Sequence, residues 1–194
     1  LSGSRSSAVL NTITIASGGK LIVTNGLGDA NKTISTLTVN TGTLTLHVDG
    51  NRTTPYIYTT NLTASGVNTI DLATVTGLVT DPQTIKLIAY DSFGGSFSLV
   101  LPSGIYGYLE NDTINKTINA VLSTTPPKSV TWNGNLDGNW DNATANWQGG
   151  FLFLPGDFAR FDDTASGTRS VTVVGTQSVG SGGVTVSNAG PAYT

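Results

Sequence analysis

Asp137, Asn139 and Asp141 stand at alternate positions. That is the oxygen-rich spacing with which a loop can wrap a calcium ion. A twelve-residue calcium loop closes on a bidentate glutamate, which this stretch lacks. The competing reading is turns in which each side chain caps its own backbone. Asp157, Asp162 and Asp163 form a second cluster open to the same two readings. Calcium is the only cofactor these residues suggest. Glu110 is the sole glutamate, so a Glu–Glu glycosidase pair is excluded. Asp29, Asp49, Asp71, Asp81, Asp91 and Asp112 are spread along the chain, at the spacing of corners rather than of a catalytic pair. His47 is the only histidine and there is no cysteine, which argues against a serine triad and a zinc site. Ser17-Gly18-Gly19-Lys20 lacks the spacing of a phosphate-cradling loop. No catalytic residue is assigned, and no enzyme is expected.

Two further sets carry chemistry of binding or modification. Trp132, Trp140 and Trp147, the only tryptophans, fall within sixteen residues. They can form either a sugar-stacking platform or a small aromatic core; the core is the expected use. Six Asn-x-Thr sequons occur, at Asn31, Asn51, Asn61, Asn111, Asn115 and Asn142. They make the chain a candidate glycoprotein, although a sequence rich in Asn and Thr produces some of them by chance.

The elements that must position these residues are strands. Only 11% of the residues are charged, against about 25% in an ordinary domain. Low charge with abundant Thr, Ser, Asn and Gly would suggest disorder, but 38% hydrophobic content in alternating pattern opposes it. Thr and Val suit pleated sheet, Asn and Gly suit turns. Net charge is −3, so there is no basic footprint for nucleic acid. No apolar run approaches the ~20 residues of a membrane span. The chain opens at Leu1 without an initiator Met or a signal segment, and so reads as a processed product or part of something longer.

The first half reads strand after strand: residues 9–15, 20–24, 34–39 and 42–48, then pieces of 56–58, 69–72, 85–90, 97–101 and 120–122. Period-2 alternation turns Leu37, Val39, Leu44 and Leu46 inward and Thr36, Thr38, Thr43 and Thr45 outward, with His47 among the outward residues. Weak repetition at short intervals points to stacked coils. The expected fold is all-β with little or no helix: a β-solenoid or right-handed parallel β-helix, with a hairpin β-sandwich as the alternative. Asn25-Gly26 is the only clear hairpin punctuation. The paired prolines Pro126-Pro127 mark a linker, giving a region 1–125 and a tryptophan-containing module 126–194.

That module resembles a known family. Thr131-Trp132-Asn133-Gly134-Asn135, Gly138-Asn139-Trp140-Asp141, Ala145-Asn146-Trp147 and Gly156-Asp157-Phe158-Ala159-Arg160-Phe161-Asp162-Asp163 are similar to the autotransporter-associated β-strand repeat of large bacterial surface and secreted proteins. The resemblance implies β-helix architecture, an extracellular or cell-surface location, and a passive role as stalk, adhesin or matrix, with no catalytic set. Residues 62–72 and 85–90 are similar to the segment that often precedes this repeat. In such repeats the strand at Val184-Thr185-Val186 leads toward a Leu-Ser-Gly-Ser type strand, which is how this chain begins. The expected partners are therefore copies of the same chain, head to tail, or linked copies in a tandem array. The expected assembly strand lies in residues 1–15, through Leu1, Val9, Leu10, Ile13 and Ile15. Surface glycans are the alternative partner, for an adhesive or carbohydrate-binding module.

Overall fold

Parallel ladders organise this chain. The computed structural model describes residues 11–31, 33–175, 177–180 and 182–194. Leu1, Val9 and Leu10 lie outside the described residues. The chain divides into two compact units, one ending at Thr125 and one spanning Pro126–Thr194.

In the first unit, β1 (Thr12–Ile15), β3 (Ile34–Asn40), β5 (Ile57–Ser65) and β7 (Gln83–Gly95) lie parallel in one sheet. β2 (Lys20–Val23), β4 (Thr43–Asp49), β6 (Thr69–Thr76) and β8 (Ser98–Val100) lie parallel in a second. Strands that follow one another in sequence alternate between the sheets, so each pair forms one coil of a β-solenoid. This decides against the hairpin sandwich. A sandwich would pair sequence neighbours antiparallel, whereas here each partner comes from the next coil. Asn25-Gly26 is a bend between β2 and β3, not a hairpin.

Registered stacking sets like positions over like. Ile13, Leu37, Leu62 and Phe93 form one inward row; Leu21, Leu44, Ile70 and Leu99 form another. Leu37, Val39, Leu44 and Leu46 are fully buried, as their alternation requires. Thr45 departs from expectation. It occupies the outer face but is buried, because its hydroxyl donates to Asp71 Oδ2 (3.2 Å) and Lys20 Nζ lies over the same oxygen at 3.5 Å. His47 stays on the outer ladder, Nδ1 sharing a hydrogen bond with Thr74 Oγ1 (3.0 Å).

The corners repeat as the strands do. Gly18, Thr41 and Gly66 occupy equivalent corners with left-handed backbone, φ 73°, 52° and 74°. Gly18 N–H donates to Thr41 O and Thr41 N–H to Ser65 O, both at 2.9 Å. A Cβ on Gly66 would collide with Thr41 Oγ1, so glycine is required where the corner stack is tightest. Two residues on, Asn68 is buried and uses its whole amide. Oδ1 accepts from Gly42 N–H (3.1 Å), and Nδ2 donates to Ser65 O (3.0 Å) and Gly66 O (3.2 Å).

The parallel stack ends in an antiparallel addition that the sequence pattern does not announce. β9 (Tyr106–Asp112) and β10 (Thr117–Ser123) form a hairpin, and β10 pairs antiparallel with β7. The turn is closed by Asp112, whose carboxylate accepts from Ile114 N–H, Asn115 N–H and Asn115 Nδ2.

Replacing Asn68 with Ala strands one amide N–H and two carbonyls at a buried corner, which costs about 1–3 kcal/mol. The urea midpoint of Asn68→Ala is expected to drop accordingly. Asn40→Ala, at an exposed strand end, should shift it by less than about 0.5 kcal/mol.

Candidate functional site

In the second unit β11 (Ser129–Thr131), β13 (Phe158–Asp162) and β15 (Val184–Ser187) make one parallel sheet, and β12 (Asn139–Trp140) and β14 (Thr172–Val173) another. The core between them is aromatic. Trp132 meets Trp147 edge to face at 5.3 Å between centroids, Trp147 meets Trp140 at 5.6 Å, and Phe153 and Phe161 fill the remaining sides. Trp132 Nε1 donates to Thr168 O (2.8 Å). All three tryptophans are buried. Stacking against a sugar needs an open ring face, so the platform reading has no surface to use.

Asp137, Asn139 and Asp141 sit in the loops around β12 and spend their oxygens on the chain's own donors. Asp137 accepts from Asn139 N–H (2.8 Å), Asn139 Nδ2 (2.9 Å) and Asn146 Nδ2 (2.6 Å). Asp141 accepts from Ala143 N–H, Thr144 N–H and Thr144 Oγ1. Asn139 itself donates rather than offering an oxygen to the same centre. These are Asx turns. Among the described residues no three His, Cys, Asp or Glu side chains gather as a metal group. Asn146, which sequence reasoning passed over as a possible staple, holds the arrangement together. It is fully buried, accepts from Leu136 and Asp137 N–H, and donates to Asp137 Oδ1 and Asn139 O.

Asp157, Asp162 and Asp163 are likewise structural. Asp157 is buried and bridges Lys128 N–H (2.9 Å) to Leu154 N–H (3.1 Å). Asp162 pairs with Arg160 Nε at 3.1 Å and accepts from Thr164. Asp163 accepts from Ala189 and Gly190 N–H, both at 2.8 Å, and faces Arg169. Arg169 also donates to Pro191 O and lies over the Tyr193 ring, whose hydroxyl donates to Asp162 O. The C-terminal segment is clamped to the unit by these contacts.

The far end of the core rows is open. Val130 pairs with Ala159 and Ala159 with Val184; Phe161, beside Trp132, pairs with Val186; Trp140 pairs with Val173. Each row begins buried, with Val130 at 2% and Trp132 at 0% exposure. Each ends open, with Val184 at 47%, Val186 at 61% and Val173 at 52%. Among the described residues, β15 and β14 pair on one edge only. The strand signal at 184–186 was legible, but its exposure was not.

No family model, no curated protein and no solved structure matches this chain.

Hydrogen bonds hold several carboxylates below their usual range: Asp137 chiefly through Asn139 N–H, Asp162 through the Thr164 hydroxyl, and Asp163 through Ala189 N–H. For Asp141 desolvation pulls upward but is outweighed by the Ala143 and Thr144 amides. Groups lowered by folding stabilise the folded state fully above the unfolded carboxylate value of about 3.9 and lose that contribution as pH falls through the folded values. The melting temperature is therefore expected to be level from about pH 7 to about pH 5 with respect to these groups, and to fall below about pH 4. Thermal melts followed by circular dichroism would check this, and a melting temperature that rose on acidification would contradict it.

Proposed function

We propose that this chain is a structural, extracellular β-solenoid element that adds copies end to end, as a filament subunit or stalk repeat, and performs no catalysis. The observation that carries the reading is the open end of the second unit. Val184 and Val186 stand in register with the core rows yet lie 47% and 61% exposed, on a strand whose outer backbone edge has no partner among the described residues. Such an edge is a template for another strand. Covering a valine is worth on the order of 1–2 kcal/mol, and the ladder adds directional hydrogen bonds.

The strand proposed to fill the place is the first one of a second copy. In β1, Ile13 and Ile15 alternate with Thr12 and Thr14, the pattern that a row ending in Val184 and Val186 would accept. Head-to-tail contacts of this kind do not close on themselves, and so generate filaments. The likeness of residues 130–163 to the autotransporter-associated repeat gives the cell-surface location its support. The carbohydrate-binding alternative loses its tryptophans to the core and would rest on outer Thr and Asn ladders alone.

The wild-type chain should sediment as a concentration-dependent series and give fibres in negative stain. Val184→Asp combined with Val186→Asp should leave a folded monomer, whereas Val67→Asp combined with Val79→Asp, more exposed still but off the rows, should assemble normally. Deleting residues 1–15 should also abolish fibres. A wild-type chain that stays monomeric at high micromolar concentration would sink the proposal, and fibres that survive the deletion would sink the choice of donor strand.

A further inference from the structure

The six sequons sort by environment in a way that chance does not require. All six carry Thr at the third position. Asn31, Asn51, Asn61, Asn111, Asn115 and Asn142 are all exposed. The buried asparagines, Asn68, Asn119 and Asn146, all lie outside sequons. Of the ten asparagines outside sequons, only Asn11, Asn25, Asn40 and Asn135 are exposed.

Two of the buried asparagines differ from the sequon set in their amide nitrogens as well. Asn68 and Asn146 each donate from Nδ2 to two acceptors. Within the described residues, no sequon nitrogen does so. Asn51 donates one hydrogen to Asp49, Asn61 one to Ser35 O, and Asn115 one to Asp112. A single bond of this kind occupies one of the two N–H positions and leaves the other for a sugar.

We propose that these six asparagines are N-glycosylation sites of the folded chain. The donor class is a sugar activated at its anomeric carbon by a phosphate or diphosphate, used by a glycosyltransferase of the producing cell. The Nδ2–C1 bond forms, the C1–O bond to the phosphate breaks, the phosphate leaves with that electron pair, and one amide proton passes to the transferase. The sites lie on flanks: Asn31 and Asn51 at corners, Asn61 on the outer face of β5, Asn111 and Asn115 at the β9–β10 hairpin, and Asn142 in the loop after β12. None lies on β13, β14 or β15. Sugars there would block sideways association of the sheets and leave the valine rows free. The assignment does not depend on end-to-end growth.

Intact-mass measurement on protein isolated from the cells that make it naturally is expected to exceed the bare chain of 20.0 kDa by whole glycan units, with peptide mapping placing them on these asparagines. Thr53→Ala, Thr63→Ala and Thr113→Ala, all at exposed positions, should each remove one unit without changing the melting cooperativity, while Thr63→Ser should retain it. A bare mass, or sugars found only on Ser and Thr hydroxyls, would overturn the assignment. Fibre formation by the bare chain would be unaffected by that outcome.

Discussion

Backbone hydrogen bonding between successive coils is the constraint from which the rest follows. A parallel ladder in register fixes which residue lies over which. Once Thr12 sits beside Thr36 and Thr36 beside Asn61, the inward and outward faces of every coil are determined. Any polar residue inside a row must then find its partner along the stack. Thr59 illustrates this. It falls between Ile34 and Tyr90 in a core row, and its hydroxyl reaches back to Ile34 O at 3.1 Å. The outer face obeys the same rule, with Ser92 donating to Asn61 Oδ1 and Asn61 donating to Ser35 O.

Corners are where the ladder is hardest to keep, because the chain must turn without leaving amides bare. The first unit solves this with left-handed residues backed by the buried amide of Asn68, and with Arg52. The Arg52 guanidinium donates to Asn25, Thr54 and Pro55 carbonyls and lies 4.4 Å from the Tyr56 ring centroid. The second unit relies on Asn146 and Asp157 instead. Both units thus use side chains to mimic missing backbone partners. Many of the aspartates serve these turns: a carboxylate that already accepts two or three N–H groups is held ionised and occupied.

The legible part of the sequence was its period. Alternation in residues 34–48 gave the inward leucines and valines directly, and a string of short Gly-bounded strands gave stacked coils. Two things were hidden. Residues 106–112 alternate poorly, and the turn at 112–116 contains no Asn-Gly pair, so the β9–β10 hairpin left no local signal. Thr45 looked wet because parity describes the face a side chain leaves from, not the Asp71 and Lys20 that fold over it. For the tryptophans and for Asp137, Asn139 and Asp141, sequence supplied two readings each. Only the ring packing and the direction of the hydrogen bonds, donors toward Asp137 and Asp141, separate them.

A stack of coils has two ends, and the two units treat theirs differently. In the first unit β10 is laid antiparallel on β7, so the parallel register cannot continue along that sheet. Its outer neighbour β9 carries Glu110 and Asp112, charges that discourage a further strand. In the second unit the ladders of β11, β13 and β15 and of β12 and β14 are parallel throughout. β15 keeps the parallel direction of β11 and β13, presents Val184 and Val186 without a charge between them, and leaves the rows from Val130 and Trp132 open. Charged side chains guard the edge strand of one sheet and are lacking on β15 of the other. The difference is chemical, residue by residue: the valine edge is left fit to accept a further parallel strand, whereas the other sheet closes on its own hairpin.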